Sequence, residues 1–152
     1  MLLDEIARTS TAVAETPARL AKIERLAVCL RRLRPREVPI AVAYLSGVLP
    51  QGTIGVGWAS LRDLPSPAQP PPALELLEVD TALDRIRTAT GPGSQAIRGR
   101  ELAELFLRAT EPERRFLIGL LQGELRQGAL EGVMVEAVAG RQRSRPRMSG
   151  AR

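Results

Sequence analysis

A chain of 152 residues holds one domain, large enough for a real core and too short for a multi-domain enzyme. Hydrophobic residues make up 44% and aromatics only 3%, so the core must be built from Leu, Ala, Val and Ile. The net charge of +5 is not spread evenly: five of the 22 cations lie in Gly140 to Arg152 with no acid among them, which leaves 17 cations against 17 anions in residues 1–139.

In chain order, residues 2–14 read as a helix with Leu2, Leu3, Ile6 and Val13 toward the core. Thr16-Pro17 is a helix-start signal, a hydroxyl followed by proline at the first helical position. The helix that follows should bury Leu20, Ile23, Leu26, Ala27, Leu30 and Leu33, while Lys22, Arg25, Arg32 and Arg36 share a different stripe. With seven cations and two anions, residues 15–36 carry the clearest basic face ahead of the tail. Arg34-Pro35 ends this helix and Val38 to Gly47 forms the next. Trp58 is expected to pack in the core. The proline-rich stretch Pro65 to Ala73 fits neither helix nor strand and reads as a stiff connector between a first unit, 1–64, and a second, 74–139. Asp80 is expected to cap a helix through Leu83, Ile86 and Ala89, Gly91-Pro92-Gly93 to break it, and Ser94 to cap the next, which runs through Leu102, Leu105 and Phe106. Thr110-Glu111-Pro112-Glu113 is a capping box. A last helix, Leu130 to Ala139, should bury Val133, Met134, Ala137 and Val138, and residues 140–152 read as a disordered basic tail.

The two units share a repeat. Tyr44-Leu45-Ser46-Gly47-Val48-Leu49-Pro50-Gln51-Gly52 matches Leu120 to Gly128 at an offset of 76 residues, and the same offset sets Leu26-Ala27 on Leu102-Ala103, Glu37 on Glu113 and Lys22 on Arg98. Each copy reads as an apolar-periodic helix stopped at a glycine, then a short turn ending in a second glycine. Such a turn with Arg126 beside it can cradle phosphate through backbone N–H groups, although glycines that merely cap helices are common. The helix start at Ser94 and Gln95, with Arg98 one turn in, is a second place where an anion could sit.

Gly123-Glu124-Leu125-Arg126-Gln127-Gly128-Ala129, preceded by Phe116-Leu117-Ile118-Gly119-Leu120-Leu121, resembles the signature of the N-terminal DNA-binding domain of ATP-dependent DNA ligases. Thr90-Gly91-Pro92-Gly93-Ser94-Gln95-Ala96 and Ile54-Gly55-Val56-Gly57-Trp58 are similar to the bacterial members, and the likeness runs from about Met1 to Ala139. The resemblance implies an all-α domain of two pseudo-repeated helical units that grips duplex DNA by its backbone on both sides of a nick, in repair, replication and recombination. It places Arg19 and Lys22 near the duplex, puts Ser94, Gln95 and Arg98 against the backbone, and assigns Gly123, Arg126, Gln127 and Gly128 to the DNA-contacting turn. Ser46 and Gly47 join them as the first copy of that turn.

No adenylation motif occurs in these residues: the one lysine, Lys22, is followed by Ile23-Glu24-Arg25 and not by the required Asp-Gly pattern. The sequence also has no His, no metal-ligand spacing and no phosphate-binding loop, so it offers no catalytic set. This chain is expected to bind no cofactor, ATP and Mg belonging to a complete ligase, whose catalytic domain could be a separate partner. A cytoplasmic location is expected: one cysteine, Cys29, has no internal partner, no apolar run is long enough for a membrane, and Met1-Leu2-Leu3 runs straight into Asp4-Glu5. The alternative reading is an α-helical interaction module that docks a separately encoded catalytic partner, marked by a large exposed apolar surface in place of a basic one.

Overall fold

The computed structural model describes residues 1–52, 54, 61–64, 70–125 and 130–143. These form seven helices and no strand: α1 (Leu3–Glu15), α2 (Arg19–Arg31), α3 (Val38–Leu45), α4 (Leu76–Thr88), α5 (Ser94–Arg108), α6 (Glu111–Gln122) and α7 (Leu130–Arg143). The all-α architecture is therefore as expected. Trp58 and Pro65 to Gln69 of the connector lie outside the described residues.

The repeat is visible as geometry. Glu37 and Glu113 are both buried, and each accepts a backbone N–H from the residue three before it, Arg34 and Thr110, at 2.8 Å in both cases. At Thr110 this is half of a complete capping box, the other half being the Glu113 N–H donated to the Thr110 hydroxyl at 3.3 Å. The ends of α3 and α6 match as well. Gly47 and Gly123 adopt the left-handed conformation at φ 76° and 72°, and the next residue, Val48 or Glu124, donates its N–H back to Ala43 or Gly119 at 2.9 Å. That six-to-one bond is the Schellman stop, which satisfies a terminal carbonyl and requires a residue without a Cβ penalty.

The first helices of the two copies meet at their starts. Leu3 donates to the Leu74 carbonyl at 2.8 Å and Leu76 to the Met1 carbonyl at 3.0 Å, an antiparallel bridge around Leu2 and Glu75 that relates α1 to α4 by an approximate two-fold. The ion pair Arg32–Glu5 (3.4 Å) recurs as Arg108–Glu78 (2.9 Å), the glutamates offset by 73 residues as in the bridge and the arginines by 76. The bridge lies beside a buried charge pair, the Met1 ammonium with Glu37, and Glu75 also approaches the ammonium at 3.4 Å. Burial alone would push the Glu37 pKa up, yet the ammonium and the Arg34 N–H hold it below the usual carboxylate range. Burial pulls the ammonium down, and hydrogen bonding and attraction to Glu37 outweigh this and raise it.

The core runs through both copies and includes Leu3, Ile6, Leu26, Leu30, Tyr44, Leu83, Ile86, Phe106 and Leu117, with Tyr44 and Phe116 tilted against each other at 6.4 Å. Cys29 is buried in it. The final helix buries Val133, Met134 and Ala137 as its spacing predicts, with Val138 partly covered.

Five boundaries differ from the sequence expectation. Thr16 closes α1 and does not open α2: its N–H reaches the Val13 carbonyl and its hydroxyl donates to the Ala12 carbonyl at 2.6 Å. With that hydroxyl turned back onto α1 it caps nothing ahead, and α2 starts at Arg19 with extended Ala18 at its cap position. Leu20 shares the helical face of Ala27 but is 79% exposed, because the first turn of α2 lies outside the core. Asp80 lies inside α4, which begins at Leu76 because Leu76 and Val79 already belong to the buried stripe. Ser94 is the first helical residue of α5, not its cap; Gly93, at φ 82°, holds the cap position. The last helix continues through Arg143, so Gly140 to Arg143 belong to the fold and not to a tail. The reason is Arg141, which is buried and donates from Nε to the Leu30 carbonyl at 2.8 Å and from Nη2 to Leu33 at 3.5 Å, covering the C-terminal end of α2.

Candidate nucleic-acid interface

The first glycine turn follows α3. Ser46 is half-buried at the cap position, Gly47 turns the chain, and Gly52, at φ 71°, closes the turn with its N–H on the Leu49 carbonyl at 2.9 Å. Gln51 fixes this turn to α4. Its side chain is 4% exposed, and Nε2 donates to the Asp80 and Asp84 carboxylates at 2.8 Å each and to the Asp80 carbonyl at 3.3 Å. Burial and then the nearby Asp80 and Asp84 push the Tyr44 phenol far above its ordinary pKa, so it stays neutral. Sequence reasoning missed Gln51 as an anchor; the one signal was that Gln recurs at the same offset in both turns.

The second turn begins at Gly123, and Leu125 folds back so that its Cγ lies 3.0 Å from where a Cβ on Gly119 would stand. Arg126, Gln127 and Gly128 lie outside the described residues.

Arg19 and Lys22 sit in the first turn and a half of α2. Arg19 is exposed and pairs through Nη2 with Glu136 of α7 at 2.6 Å, which brings it to the helix that follows the second glycine turn. Arg141 ties the far ends of the same two helices, so α2 and α7 run side by side in the same direction. Lys22 is half-exposed and forms no ion pair with a described residue. Its repeat partner Arg98 is half-buried at the α4–α5 corner, where Nη2 donates to the Ala89 carbonyl at 2.9 Å and Nε has no partner among the described residues. Arg98 thus holds the end of α4. Gly91 and Gly93, both at φ 82°, shape this corner, with Gln95 exposed on it and Ser94 half-buried. Arg87 in the last turn of α4 and Arg100 in α5 flank it, exposed and without ion pairs to described residues. Sequence reasoning did not single them out, though a cation on each side of Gly91-Pro92-Gly93 was the available signal.

Between the two copies the expected site residues correspond as Arg19 with Gln95, Lys22 with Arg98 and Gly47 with Gly123, while Arg19 itself pairs across to α7 of the second copy. Among the described residues no group of three or more His, Cys, Asp or Glu could hold a metal ion, and no helix is long and apolar enough to cross a membrane.

These features define a class: an all-α domain of two helix–turn copies, each stopped at a left-handed glycine and each with a cation near the start of its second helix. Residues 56–139 match the family described as the DNA ligase N terminus, and the chain belongs to that family. It is 54% identical over 142 residues to a "Probable DNA ligase" of Anaeromyxobacter dehalogenans strain 2CP-C, covering 91% of this chain and 28% of that protein. It is 55% identical over 141 residues to "DNA ligase B" of Mycobacterium tuberculosis strain CDC 1551, with the same coverage, and 50% identical over 139 residues to a "Probable DNA ligase" of Beutenbergia cavernae, covering 27% of it. The chain thus spans little more than a quarter of the length of these relatives.

Proposed function

We propose that this chain is the DNA-gripping part of an ATP-dependent DNA ligase, holding the backbone of a duplex around a nick without reading sequence. The reading rests above all on the duplication of one device: two Schellman turns of the same geometry, and a cation at the same offset in each copy, Lys22 and Arg98. A duplex offers two backbones to which paired, alike contacts are suited, and backbone contacts give affinity without base information. Arg19, Ser46, Gly47, Ser94, Gln95, Gly123, Arg126, Gln127 and Gly128 complete the contact set. In a complete ligase a nucleotidyltransferase core would adenylate itself with ATP and Mg and seal the break, serving repair, replication and recombination in the cytoplasm. The residues described here bind and orient only.

The test is the salt dependence of binding to a nicked duplex and to a matched intact one. Log K should fall linearly with log salt, and Lys22→Ala and Arg98→Ala should each lower affinity for unrelated sequences alike, with the slope smaller by about 0.9 per lost phosphate contact. No binding at low salt, or a change in sequence preference at constant affinity, would overturn the reading.

One observation favours the second reading, an interaction module. A groove of about 820 Å³ between α1 and α6 is lined by Val13, Leu26, Leu45, Phe116 and Leu125, an apolar surface of the kind that receives a partner. Association with a separate ligase core in the absence of DNA would support it.

A further inference from the structure

The approximate two-fold supplies an internal control for every charged residue on the surface. A shallow groove of about 410 Å³ between α1 and α2 has its counterpart between α4 and α5, with the ion pair Arg32–Glu5 in one standing where Arg108–Glu78 stands in the other. Around that shared pair the charges differ. Arg25 in the first groove takes the place of Glu101 in the second, and Val28 that of Glu104. At the next corner Arg34 takes the place of Thr110 and Arg36 that of Pro112. Glu24 runs the other way, its counterpart being Arg100, and Arg31 partly offsets it at 3.9 Å.

The fold does not need these cations. Glu37 accepts the Arg34 N–H just as Glu113 accepts that of Thr110, so the corner closes equally well with a neutral residue. Arg34 and Arg36 also precede the start of α3, the helix end that favours anions, and the second copy places Glu111 there. The Arg34 charge helps keep Glu37 ionised, but less than the Met1 ammonium and the Arg34 backbone N–H do. Arg25, Arg34 and Arg36 are exposed and form no ion pair with any described residue.

We infer that the flank of α1 and α2 is a phosphate-backbone track, with Arg25, Arg34 and Arg36 extending the duplex contact beyond Lys22, and that on the flank of α4 and α5 the contact stops at Arg98, short of Glu101 and Glu104. The inference rests on the DNA-gripping reading above. From Lys22 to Arg31 the track is about 14 Å long at the rise of a helix, a length over which one strand presents about four phosphates, and Arg34 and Arg36 continue it past the end of α2. Arginine forks match phosphate oxygens at such spacings. On the opposite flank Glu101 and Glu104 stand in place of Arg25 and Val28 and would repel the same backbone, with Arg85 offsetting Glu101 in part at 3.7 Å.

The experiment uses the full chain and a nicked 30-base-pair duplex. In Arg25→Glu/Arg34→Thr each residue becomes the one that the second copy holds at the same position, so the fold is expected to tolerate it; an unchanged melting curve checks this. The expected result is a salt slope smaller by about two and an affinity at low salt reduced tenfold or more. Arg36→Ala alone should reduce the slope by about one and serves if the double variant fails to fold. Arg85→Ala, on the other flank, should leave the slope unchanged. If the wild type binds with a steep slope and the Arg25/Arg34 and Arg36 variants match it, the track is wrong and the gripping reading survives; an acidic protein surface would then be the occupant. An equal loss for Arg85→Ala would also overturn the track, since total charge would then govern. If the wild type does not bind duplex at all, the gripping reading itself fails.

Discussion

Ending the chain at Ala139 should destabilise the whole domain, although the residues removed look like a basic tail. Arg141 is 9% exposed, and its Nε donates to the Leu30 carbonyl at 2.8 Å across a sequence separation of 111 residues. A hydrogen bond from a charged donor contributes about 1.5–3 kcal/mol. The second contact, Nη2 to Leu33 at 3.5 Å, is long and adds little. The Leu30 carbonyl also accepts the Leu33 N–H at 3.3 Å, so it is not left orphaned when Arg141 goes, which places the expected loss near the middle of the range, at about 2 kcal/mol. For a domain of this size that lowers the melting temperature by about 4–8 °C. Thermal unfolding followed by circular dichroism should separate a chain ended at Arg143, which melts like the full chain, from one ended at Ala139, which does not. Arg141→Met in the full chain keeps an apolar stem but no donor, and should reproduce most of the loss. If the Ala139 chain and Arg141→Met both melt within about 1 °C of the full chain, the contact between α7 and the end of α2 does not hold the fold.

Two further outcomes follow from the geometry. The Met1–Glu37 pair should leave a signature in the pH dependence of stability: a Glu37 pKa held below 4.5 gives stability that is full above that value and is lost as pH falls through the lowered one, while an ammonium raised above 8.0 gives stability that is full below 8.0 and is lost as pH rises through the raised value. The stability difference between wild type and Glu37→Gln should therefore shrink at both ends of a pH series of urea melts; a constant difference from pH 3 to 10 would contradict the pair. Gly123→Ala should cost about 1 kcal/mol through backbone strain alone, because φ is 72° and an added Cβ meets nothing within 4 Å; an unchanged urea midpoint would mean the left-handed stop is absent in solution.

What the sequence made legible was the local and the periodic. The helices at α3, α6 and α7, the Thr110–Glu113 box and the 76-residue offset could all be read because each is written within a few residues or repeats at a fixed interval. Thr16, Asp80 and Ser94 each carry the sequence pattern of a cap, and in each case a feature outside the residue decides otherwise: the Ala12 carbonyl that takes the Thr16 hydroxyl, an earlier start to the buried stripe, and a left-handed glycine. Gln51 and Arg141 were illegible as anchors because their partners lie 29 to 33 and 108 to 111 residues away, and no spacing rule carries that information. Arg98 fits the sequence pattern of a phosphate ligand, and its bond to the Ala89 carbonyl gives it a structural duty as well.

A duplex relates its strands by two-fold axes, and a domain made of two like copies can meet both backbones with like turns whatever the sequence between them. A nick destroys that symmetry, since one strand is broken and the two sides differ in their termini. A perfectly two-fold domain would bind such a site in two equivalent orientations, only one of which could present the break correctly to a catalytic core attached at one end of the chain. Here the anchors common to both copies, Gly47 with Gly123 and Lys22 with Arg98, are kept alike, while the flanks are not: Arg25 stands against Glu101 and Arg34 against Thr110. On the proposed reading, the like turns supply the grip and the unlike flanks make one of the two orientations electrostatically costly, so that discrimination arises without any contact to a base.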